Sequence, residues 1–404
     1  MALELPLCVA KWNLSCHFAM NALFIPRAIP VPKGHFFLLG PRGTGKTAWC
    51  QQQFKDALRI DLLNAATLRE YSSQPERLIA TVTANLDRKH VVIDEIQKLP
   101  QLLDAVHLLI ERKTGQQFIL TGSSARKLRR QGTNLLGGRA AQKHLHPYMA
   151  SELGNRFDLQ KALLHGLLPV VWGAPEPTEI LQAYSGLYLR EEVQMEGMVR
   201  NAGDFARFLE TMSFAHASVL NLANIARESH IARKTVENYL QILEDLLLGF
   251  RLEVFTKRAK RELASHPKFY FFDTGIFRAN RPRGPLDSPA ELTGMALEGL
   301  VAQHLRAWCD YTKSTHQLHY WHTRTGAEVD FVAYGELGLF AVEVKNSNRI
   351  RPEDLRGLKA FAEDYPQSQR YFLYRGDERL LIDGVWCLPC DEFLRALRPD
   401  TFPE

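Results

Sequence analysis

The chain contains 404 residues, of which 46% are hydrophobic, and a chain of this length can form two or three domains. Its formal charge of +5 permits nucleic acid as a partner without requiring it, and six scattered cysteines argue against a disulfide framework. No apolar run approaches the ~20 residues of a membrane span, so we expect a cytoplasmic protein with no membrane partner.

The first 23 residues are predicted to be an amino-terminal extension. The segment MALELPLCVAKWNLSCHF lacks the basic start and the small-residue cleavage site of a signal peptide. Met20 would serve equally well as a start before FIPRAIPVPKG. We therefore expect residues 1–19 to be poorly ordered or peripheral to the core.

A phosphate-binding loop follows the first predicted strand. In HFFLLGPRGTGKTAW, an apolar strand leads into the P-loop pattern, and a helix-compatible run follows it. Backbone N–H groups of the loop would turn toward the β-phosphate, Lys46 would reach the β- and γ-phosphates, and Thr47 would hold Mg²⁺. The sequence therefore predicts ATP and Mg²⁺ as cofactors. The predicted nucleotide contacts are Gly40, Pro41, Arg42, Gly43, Thr44, Gly45, Lys46 and Thr47.

Two further predicted strands end in polar residues. The segment HVVIDEIQ ends an unbroken apolar run at Asp94 and Glu95, as is typical of a strand buried on both faces. Asp94 would support Mg²⁺ through water, and Glu95 would orient and polarise the attacking water. In QQFILTGSS, Ser123 lies where the ligands of an open α/β sheet bind, and we predict that it senses the γ-phosphate. A serine that caps the next helix fits the same pattern.

An arginine follows two glycines in NLLGGRAAQ. Arg139 could stabilise the charge of the transferring phosphoryl group in a neighbouring subunit, which is the role of an arginine finger. A solvated or structural arginine is the alternative. The finger role would require neighbouring subunits, so the associated expectation is a homo-oligomer formed through the ATPase domain.

At this point the residues carry a resemblance to a known family. The segments FFLLGPRGTGKT, VVIDEIQKLPQLL, FILTGSSARKL and LLGGRA resemble AAA-type ATPases of bacteria and archaea that carry a restriction-endonuclease-like carboxyl-terminal domain of unknown function. The segments KFYFFDTGI and GAEVDFV with AVEVKNS are similar to that carboxyl-terminal part. The likeness extends from Phe24 to the end of the chain and implies architecture more firmly than biological role.

A helix-turn-helix pattern lies in the middle of the chain, in NLANIARESHIARKTVENYLQILEDLLLGFRL. Its second helix would expose Arg233 and Lys234, which suit phosphates and base edges. The basic residues Lys257 and Arg258 follow where a wing could lie. We predict DNA contact by these four residues, and a module that only packs domains together is the alternative. The apolar positions at helical spacing are Leu222, Ile225, Ala226, Val236, Leu240, Leu243 and Leu247.

Near the carboxyl terminus, GAEVDFVAYGELGLFAVEVKNS indicates two strands around a tight turn. Paired positions in such a hairpin sum to one constant, so Asp330 would face Glu343 and Glu328 would face Lys345. Two carboxylates directly across a ladder repel each other, and we therefore expect a positive charge between them.

A metal-dependent nuclease of the PD-(D/E)xK type needs an Asp on one strand and Glu-x-Lys on its neighbour. Asp330, Glu343 and Lys345 meet this demand: the carboxylates would hold Mg²⁺, and the lysine would orient the attacking water. Glu298, on the edge of the core-facing stripe of the preceding helix, is predicted to add a carboxylate. Glu328 introduces an alternative, because it could neutralise Lys345 in a structural ion pair.

These patterns predict an α/β multidomain protein. It would contain a P-loop NTPase domain with a parallel sheet at 24–150, a helical and winged helix-turn-helix region at 151–285, and a restriction-endonuclease-like α/β domain at 286–404. The last of these is expected to show the order helix, three strands, helix, strand. We expect an ATP-hydrolysing protein that acts on DNA, with a nuclease-like domain gated by nucleotide state. The alternative is an ATP-switched DNA-binding or regulatory protein whose nuclease-like domain is inactive.

Overall fold

A computed structural model describes residues 24–124, 135–188, 201–257, 259, 261–263, 266–282, 284 and 288–403. The predicted extension 1–23 and the predicted DNA contact Arg258 lie outside these ranges. Within them, no helix combines the length and the apolar character needed to cross a membrane.

The first sheet has five parallel strands in the order β2-β3-β4-β1-β5. Its inner strands are almost wholly buried, because helices cover both faces and parallel strands are joined by helical crossovers. This is the parallel α/β sheet that the sequence predicts for a P-loop domain. The strands are β1 Phe36–Leu39, β2 Leu58–Asp61, β3 His90–Asp94, β4 Gln117–Gly122 and β5 Ala141–His144. The helices are α1 Lys46–Gln53, α2 Ala65–Ser73, α3 Arg77–Thr83 and α4 Leu102–Glu111.

The middle of the chain is mainly helical and carries a small sheet of three strands in the order β6-β8-β7, in which both pairings are antiparallel. Two helices lie where the helix-turn-helix pattern predicts them, but the second ends before Leu247, whose φ of 60° is left-handed. The winged character of this region stays a prediction. The helices are α5 Ala150–Leu153, α6 Leu159–His165, α7 Pro169–Trp172, α8 Pro177–Ala183, α9 Ala202–Phe214, α10 Leu222–Ser229, α11 Arg233–Asp245 and α12 Thr274–Asn280. The strands are β6 Ser218–Val219, β7 Gly249–Leu252 and β8 Lys268–Phe271.

The carboxyl-terminal part is a mixed sheet of six strands in the order β13-β14-β12-β11-β10-β9. The predicted hairpin is present in the predicted register, with Phe331 opposite Val342 and a two-residue turn at Glu336 and Leu337. The predicted order of helix, three strands, helix and strand is also present. The helices are α13 Pro289–Tyr311, α14 Arg356–Asp364 and α15 Cys390–Ala396. The strands are β9 His316–His322, β10 Glu328–Gly335, β11 Gly338–Val344, β12 Gln369–Tyr374, β13 Leu380–Ile382 and β14 Val385–Pro389.

One apolar core runs through all three parts of the chain. Trp49 on α1, Val236 on α11 and Phe331 on β10 belong to the same continuous cluster of buried side chains. Burial of this apolar surface is the main favourable term in folding, and here it is shared between the parts. Among the described residues, this cluster includes side chains on both sides of the predicted divisions at 150/151 and 285/286, which stay predictions.

A buried aspartate ties the middle region together. Asp273 caps the start of α12, and its carboxylate accepts hydrogen bonds from the N–H groups of Gly275 at 2.8 Å and Leu167 at 2.7 Å. The carboxylate approaches so closely that a side chain at Gly166, whose φ is +73°, would collide with it. Burial raises the pKa of Asp273 to about 6, although the backbone N–H groups oppose this shift.

Candidate nucleotide site and carboxylate cluster

The phosphate loop has the backbone shape that its glycines allow. Gly43 and Gly45 have φ angles of +81° and +89°, which residues with a Cβ rarely adopt. Lys46 begins α1, and its Nζ donates to the carbonyl oxygens of Gly40 at 2.8 Å and Pro41 at 3.2 Å. The lysine ammonium therefore lies across the loop that the sequence predicts to enclose the phosphates.

Two predicted Mg²⁺ ligands are in direct contact. The Thr47 hydroxyl donates to Asp94 Oδ2 at 2.6 Å, and the Thr121 hydroxyl donates to Asp94 Oδ1. Asp94 ends β3 and is only 6% exposed, so the sheet and α1 hold the three side chains in place. Carboxylate and hydroxyl oxygens are the ligands that Mg²⁺ prefers, and Thr47 and Asp94 therefore fit the predicted ion.

Gln97, which no sequence pattern indicates, joins the predicted catalytic residue Glu95 to Ser123, the predicted γ-phosphate sensor. Its side-chain amide donates to the Glu95 carboxylate and to Ser123 Oγ, the latter at 3.0 Å. Glu95 adopts a left-handed φ of 58°, a conformation that non-glycine residues often show at functional sites. The only sequence signal is the position of Gln97 two residues after Glu95, in DEIQ. The helix that Ser123 was predicted to cap would begin among residues 125–134, which lie outside the described ranges.

The middle region braces the phosphate loop. The Tyr184 hydroxyl donates to the carbonyl oxygen of Arg42 at 3.0 Å. Val170, on α7, approaches Gly43 so closely that a Cβ at Gly43 would lie 2.8 Å from its Cγ1. The loop is thus held from outside the sheet as well as from within it.

A buried ion pair connects the start of the described chain to the same loop. Arg27 Nε lies 3.0 Å from Glu152 Oε2, and the two side chains are only 3% and 1% exposed. Arg27 also donates to the carbonyl oxygen of Thr44 at 2.9 Å, and Glu152 accepts from the N–H groups of Ala28 and Met149 at 2.6 and 2.9 Å. The pair therefore fixes the position of the phosphate loop relative to α5. Neither residue belongs to a sequence pattern that predicts this contact.

Arg139 lies near the amino ends of the parallel strands, whereas the phosphate loop lies at their carboxyl ends. It precedes β5, whose first residue Ala141 pairs with Phe36 at the start of β1, whereas the loop follows the end of β1. Its Nε lies 2.6 Å from Glu111 Oε1 on α4. Arg139 is therefore placed away from the nucleotide site of its own chain. Its role in a neighbouring subunit stays a prediction.

The second site is a carboxylate cluster formed by Glu298, Glu328, Asp330 and Glu343. Glu298 extends from α13, Glu328 and Asp330 lie on β10, and Glu343 lies on β11. Glu343 Oε2 accepts from the N–H of Asp330 at 3.3 Å, and Asp330 Oδ2 accepts from the N–H of Val344 at 3.0 Å. The structure thus brings together Glu298, Asp330 and Glu343, as the sequence predicts.

The positive charge expected between these carboxylates belongs to Lys268 on β8. Its Nζ lies 3.2 Å from Glu298 Oε1, 2.5 Å from Glu328 Oε1 and 3.2 Å from Asp330 Oδ1. The Tyr270 hydroxyl, two residues along the same strand, donates to Glu298 Oε1 at 2.7 Å. The sequence signal for this role is a lysine at the start of the buried aromatic strand KFYFF, because a buried lysine almost always has a partner of opposite charge.

Burial and mutual repulsion shift the pKa values in the cluster. Burial, followed by the negative charge of Asp330, raises the pKa of Glu298 to about 7. The same two causes raise the pKa of Glu343 well above its usual range. Burial lowers the pKa of Lys268, but the neighbouring acidic groups outweigh it and raise that pKa well above its usual range. The surroundings therefore favour the charged ammonium of Lys268 and the protonated forms of Glu298 and Glu343.

Lys345, which is predicted to orient the attacking water beside these carboxylates, contacts a different carboxylate. Its Nζ lies 4.0 Å from Asp354 Oδ1, and its side chain is 57% exposed. Glu328 pairs with Lys268, whereas the alternative interpretation of the sequence paired it with Lys345. Within the described ranges, no three His, Cys, Asp or Glu side chains are placed to hold a metal ion. As it stands, the arrangement of Asp330 and Glu343 does not fit the predicted Mg²⁺, because an ammonium already lies beside Asp330.

The predicted DNA contacts have different surroundings. Arg233 and Lys234 are exposed at the start of α11, where Arg233 Nε lies 3.1 Å from Glu237 Oε1. Lys257, by contrast, places its Nζ 4.2 Å from the centre of the Tyr334 ring on β10. It therefore contacts the carboxyl-terminal sheet while remaining exposed, and its contact with DNA stays a prediction.

Comparison with known proteins identifies one part of the chain. Residues 33–154 match the family described as "AAA domain". Residues 156–286 and 293–393 match two families described as "Domain of unknown function", DUF8612 and DUF4143. No curated protein matches the chain. The predicted AAA-type P-loop domain is thus confirmed, whereas the other two matches assign no function.

Two solved structures are similar to parts of the chain at low identity. DnaA from Aquifex aeolicus, bound to AMPPCP, is 14% identical, with 54% of this chain and 83% of that chain covered and a TM-score of 0.27. Protein VC1899 from Vibrio cholerae is also 14% identical, with 89% of this chain and 95% of that chain covered and a TM-score of 0.20.

Proposed function

We propose that the protein binds and hydrolyses ATP in its AAA-type domain and that this reaction controls an action on DNA. The observation that best supports ATP hydrolysis is the contact between Thr47 and Asp94 beside the phosphate loop. It joins the residue after the P-loop lysine to the carboxylate that ends β3. A P-loop NTPase holds Mg²⁺ with this pair of residue types.

Each residue of this site has a proposed task. Lys46 would exchange its contacts with the Gly40 and Pro41 carbonyl oxygens for the β- and γ-phosphates. Mg²⁺, held by Thr47 and Asp94, would neutralise phosphate charge. Glu95, held by the Gln97 amide, would orient the attacking water and accept its proton.

Replacing Lys46 by alanine tests nucleotide binding. We expect the affinity for ATP to fall roughly 10- to 100-fold, because charge-assisted hydrogen bonds contribute ~1.5–3 kcal/mol each. Isothermal titration with a non-hydrolysable ATP analogue and Mg²⁺ measures the change. Lys55→Ala, an exposed lysine just beyond the other end of α1, is the matched control and should bind normally. Equal affinity in the Lys46→Ala protein would remove the proposed site.

The carboxyl-terminal part is proposed to be a restriction-endonuclease-like domain. Support comes from its element order and from the convergence of Glu298, Asp330 and Glu343, which such nucleases need. The exposed Lys345, whose Nζ lies near Asp354, favours the alternative of a regulatory DNA-binding protein in which this domain does not cut. Incubation of plasmid DNA with Mg²⁺, with and without ATP, separates the two: the first gives cleaved DNA and the second gives retained, uncut DNA.

One helix offers a physical route for gating by nucleotide state. Helix α13 carries Glu298 in the cluster and Asp310 near its end. Asp310 Oδ2 lies 2.6 Å from His146 Nε2, just beyond β5. Burial lowers the pKa of His146 to about 4, although the hydrogen bond to Asp310 and its charge oppose this shift. Because β5 pairs with β1, a shift near the phosphate loop would reach α13 through this contact.

The middle region is proposed to contact DNA through α11. Replacing both Arg233 and Lys234 by alanine should weaken DNA binding and lower the slope of log affinity against log salt by about two, because two phosphate contacts are lost. Fluorescence anisotropy at several salt concentrations measures this slope. A double Lys313→Ala, Arg324→Ala protein removes two exposed charges elsewhere and should keep the wild-type slope. An unchanged slope in the α11 variant would mean that this helix only packs domains together.

A further inference from the structure

A lysine side chain already occupies the centre of the carboxylate cluster. Lys268 Nζ contacts oxygens of Glu298, Glu328 and Asp330 at 2.5–3.2 Å, and its side chain is only 5% exposed. The ring of Tyr320 closes one side, with its centre 5.5 Å from Nζ. The ammonium therefore has the environment of a bound cation, with oxygen ligands and little solvent.

The lysine and its partners come from different parts of the chain. Lys268 lies on β8, within residues 156–286, whereas the four carboxylates lie within residues 293–393. The backbone of β8 pairs with β6 and β7, so Lys268 is anchored to the small sheet of the middle region. The middle region thus supplies the counter-charge of a cluster that the carboxyl-terminal part builds.

An ammonium and a divalent cation cannot share this position. Mg²⁺ requires oxygens at ~2.0–2.1 Å in octahedral geometry, and Mn²⁺ prefers the same oxygen ligands. A dication that contacted Asp330 would lie within a few ångströms of Nζ, where like charges in a low dielectric repel strongly. Removal of the ammonium alone would leave Glu298 and Asp330, whose side chains are 19% and 10% exposed, without their counter-charge, which a divalent ion could then replace.

We propose that Lys268 is a built-in competitor of divalent cations, which keeps the carboxylate cluster closed to metal while its ammonium lies among Glu298, Glu328 and Asp330. The cluster binds a divalent ion once this ammonium is removed. The use of such an ion for DNA cleavage rests on the proposed function. The exclusion of the ion by Lys268 is independent of that function, and it is tested without DNA.

Binding of Mn²⁺ to full-length, nucleotide-free protein tests this competition. Electron paramagnetic resonance of free Mn²⁺ gives the bound fraction for the wild type and for Lys268→Met, which keeps an unbranched side chain without charge. We expect Lys268→Met to bind one Mn²⁺ ion per chain at least 10-fold more tightly than the wild type. Adding Glu343→Gln to Lys268→Met should abolish the gained binding and so assign the ion to the cluster.

Two results would overturn the proposal. One is that the wild type binds Mn²⁺ as tightly as the Lys268→Met protein does, and that Glu343→Gln in the wild type abolishes this binding. The other is folded Lys268→Met protein that gains no Mn²⁺ binding. Circular dichroism and ATP binding check the fold, and Lys268→Gln replaces Lys268→Met if the latter does not fold. Gained Mn²⁺ binding without DNA cleavage would uphold the competition and contradict only the proposed nuclease function.

Discussion

Replacing Glu95 by glutamine is expected to lower the rate of ATP hydrolysis by about 10²- to 10⁴-fold, the usual contribution of a general base. Glutamine keeps the size of the side chain but cannot accept a proton from water. ATP binding should persist, because Lys46, Thr47 and Asp94 are unchanged. Release of inorganic phosphate under saturating ATP measures the rate, and titration with ATP confirms that the site still fills.

Glu76→Gln is the matched control for this experiment. Glu76 is an exposed glutamate of the same domain, just before α3, and its replacement makes the same chemical change on the surface. It should hydrolyse ATP at the wild-type rate. Normal hydrolysis by Glu95→Gln would show that the carboxylate beside Gln97 is not the base.

Replacing Glu152 by alanine is expected to destabilise the protein by about 3–5 kcal/mol. The change leaves the Arg27 guanidinium buried without its carboxylate partner, and breaking one side of a buried ion pair has a cost of this size. The N–H groups of Ala28 and Met149 also lose their acceptor. Urea denaturation followed by circular dichroism measures the free energy of unfolding.

A surface ion pair provides the comparison. Arg77 Nε lies 2.5 Å from Glu70 Oε1, closer than in the buried pair, but these side chains are 53% and 43% exposed. Glu70→Ala should therefore change the free energy of unfolding by only ~0–1 kcal/mol.

Joint replacement of Arg27 by Met and Glu152 by Leu should recover much of the stability lost in Glu152→Ala, since no unpaired charge is left. A small effect of Glu152→Ala alone would mean that water reaches Arg27.

The features that the sequence predicts correctly depend on residues close together in the chain. The P-loop requires one strand, one turn and one helix in succession, and the register of β10 and β11 follows from a two-residue turn. The helix-turn-helix pattern rests on apolar residues with a period of 3.6. This apolar pattern extends to Leu247, whereas the helix ends at Asp245. Local spacing therefore predicted the elements well and their ends less well.

The partners of the buried charges were not predictable in this way. The sequence predicts a positive charge between Asp330 and Glu343 and assigns it to Mg²⁺, with Lys345 beside it. The fold selects Lys268 instead, 62 positions from Asp330, and pairs Arg27 with Glu152 across 125 positions. Judged by charge alone, any of the many lysines and arginines in the chain could be the partner of Asp330 or of Glu152.

The amino-acid sequence by itself determined the chemistry that this protein carries: a phosphate loop with its Asp94–Glu95 strand, and acidic residues grouped on one hairpin. Only the tertiary structure decided that Gln97 holds Glu95, that Arg27 supports the phosphate loop, and that an ammonium from β8 lies among the acidic groups. The physical reason is that turns and periodic faces are set by neighbouring residues, whereas a buried charge takes the partner that packing of distant elements brings within ~4 Å.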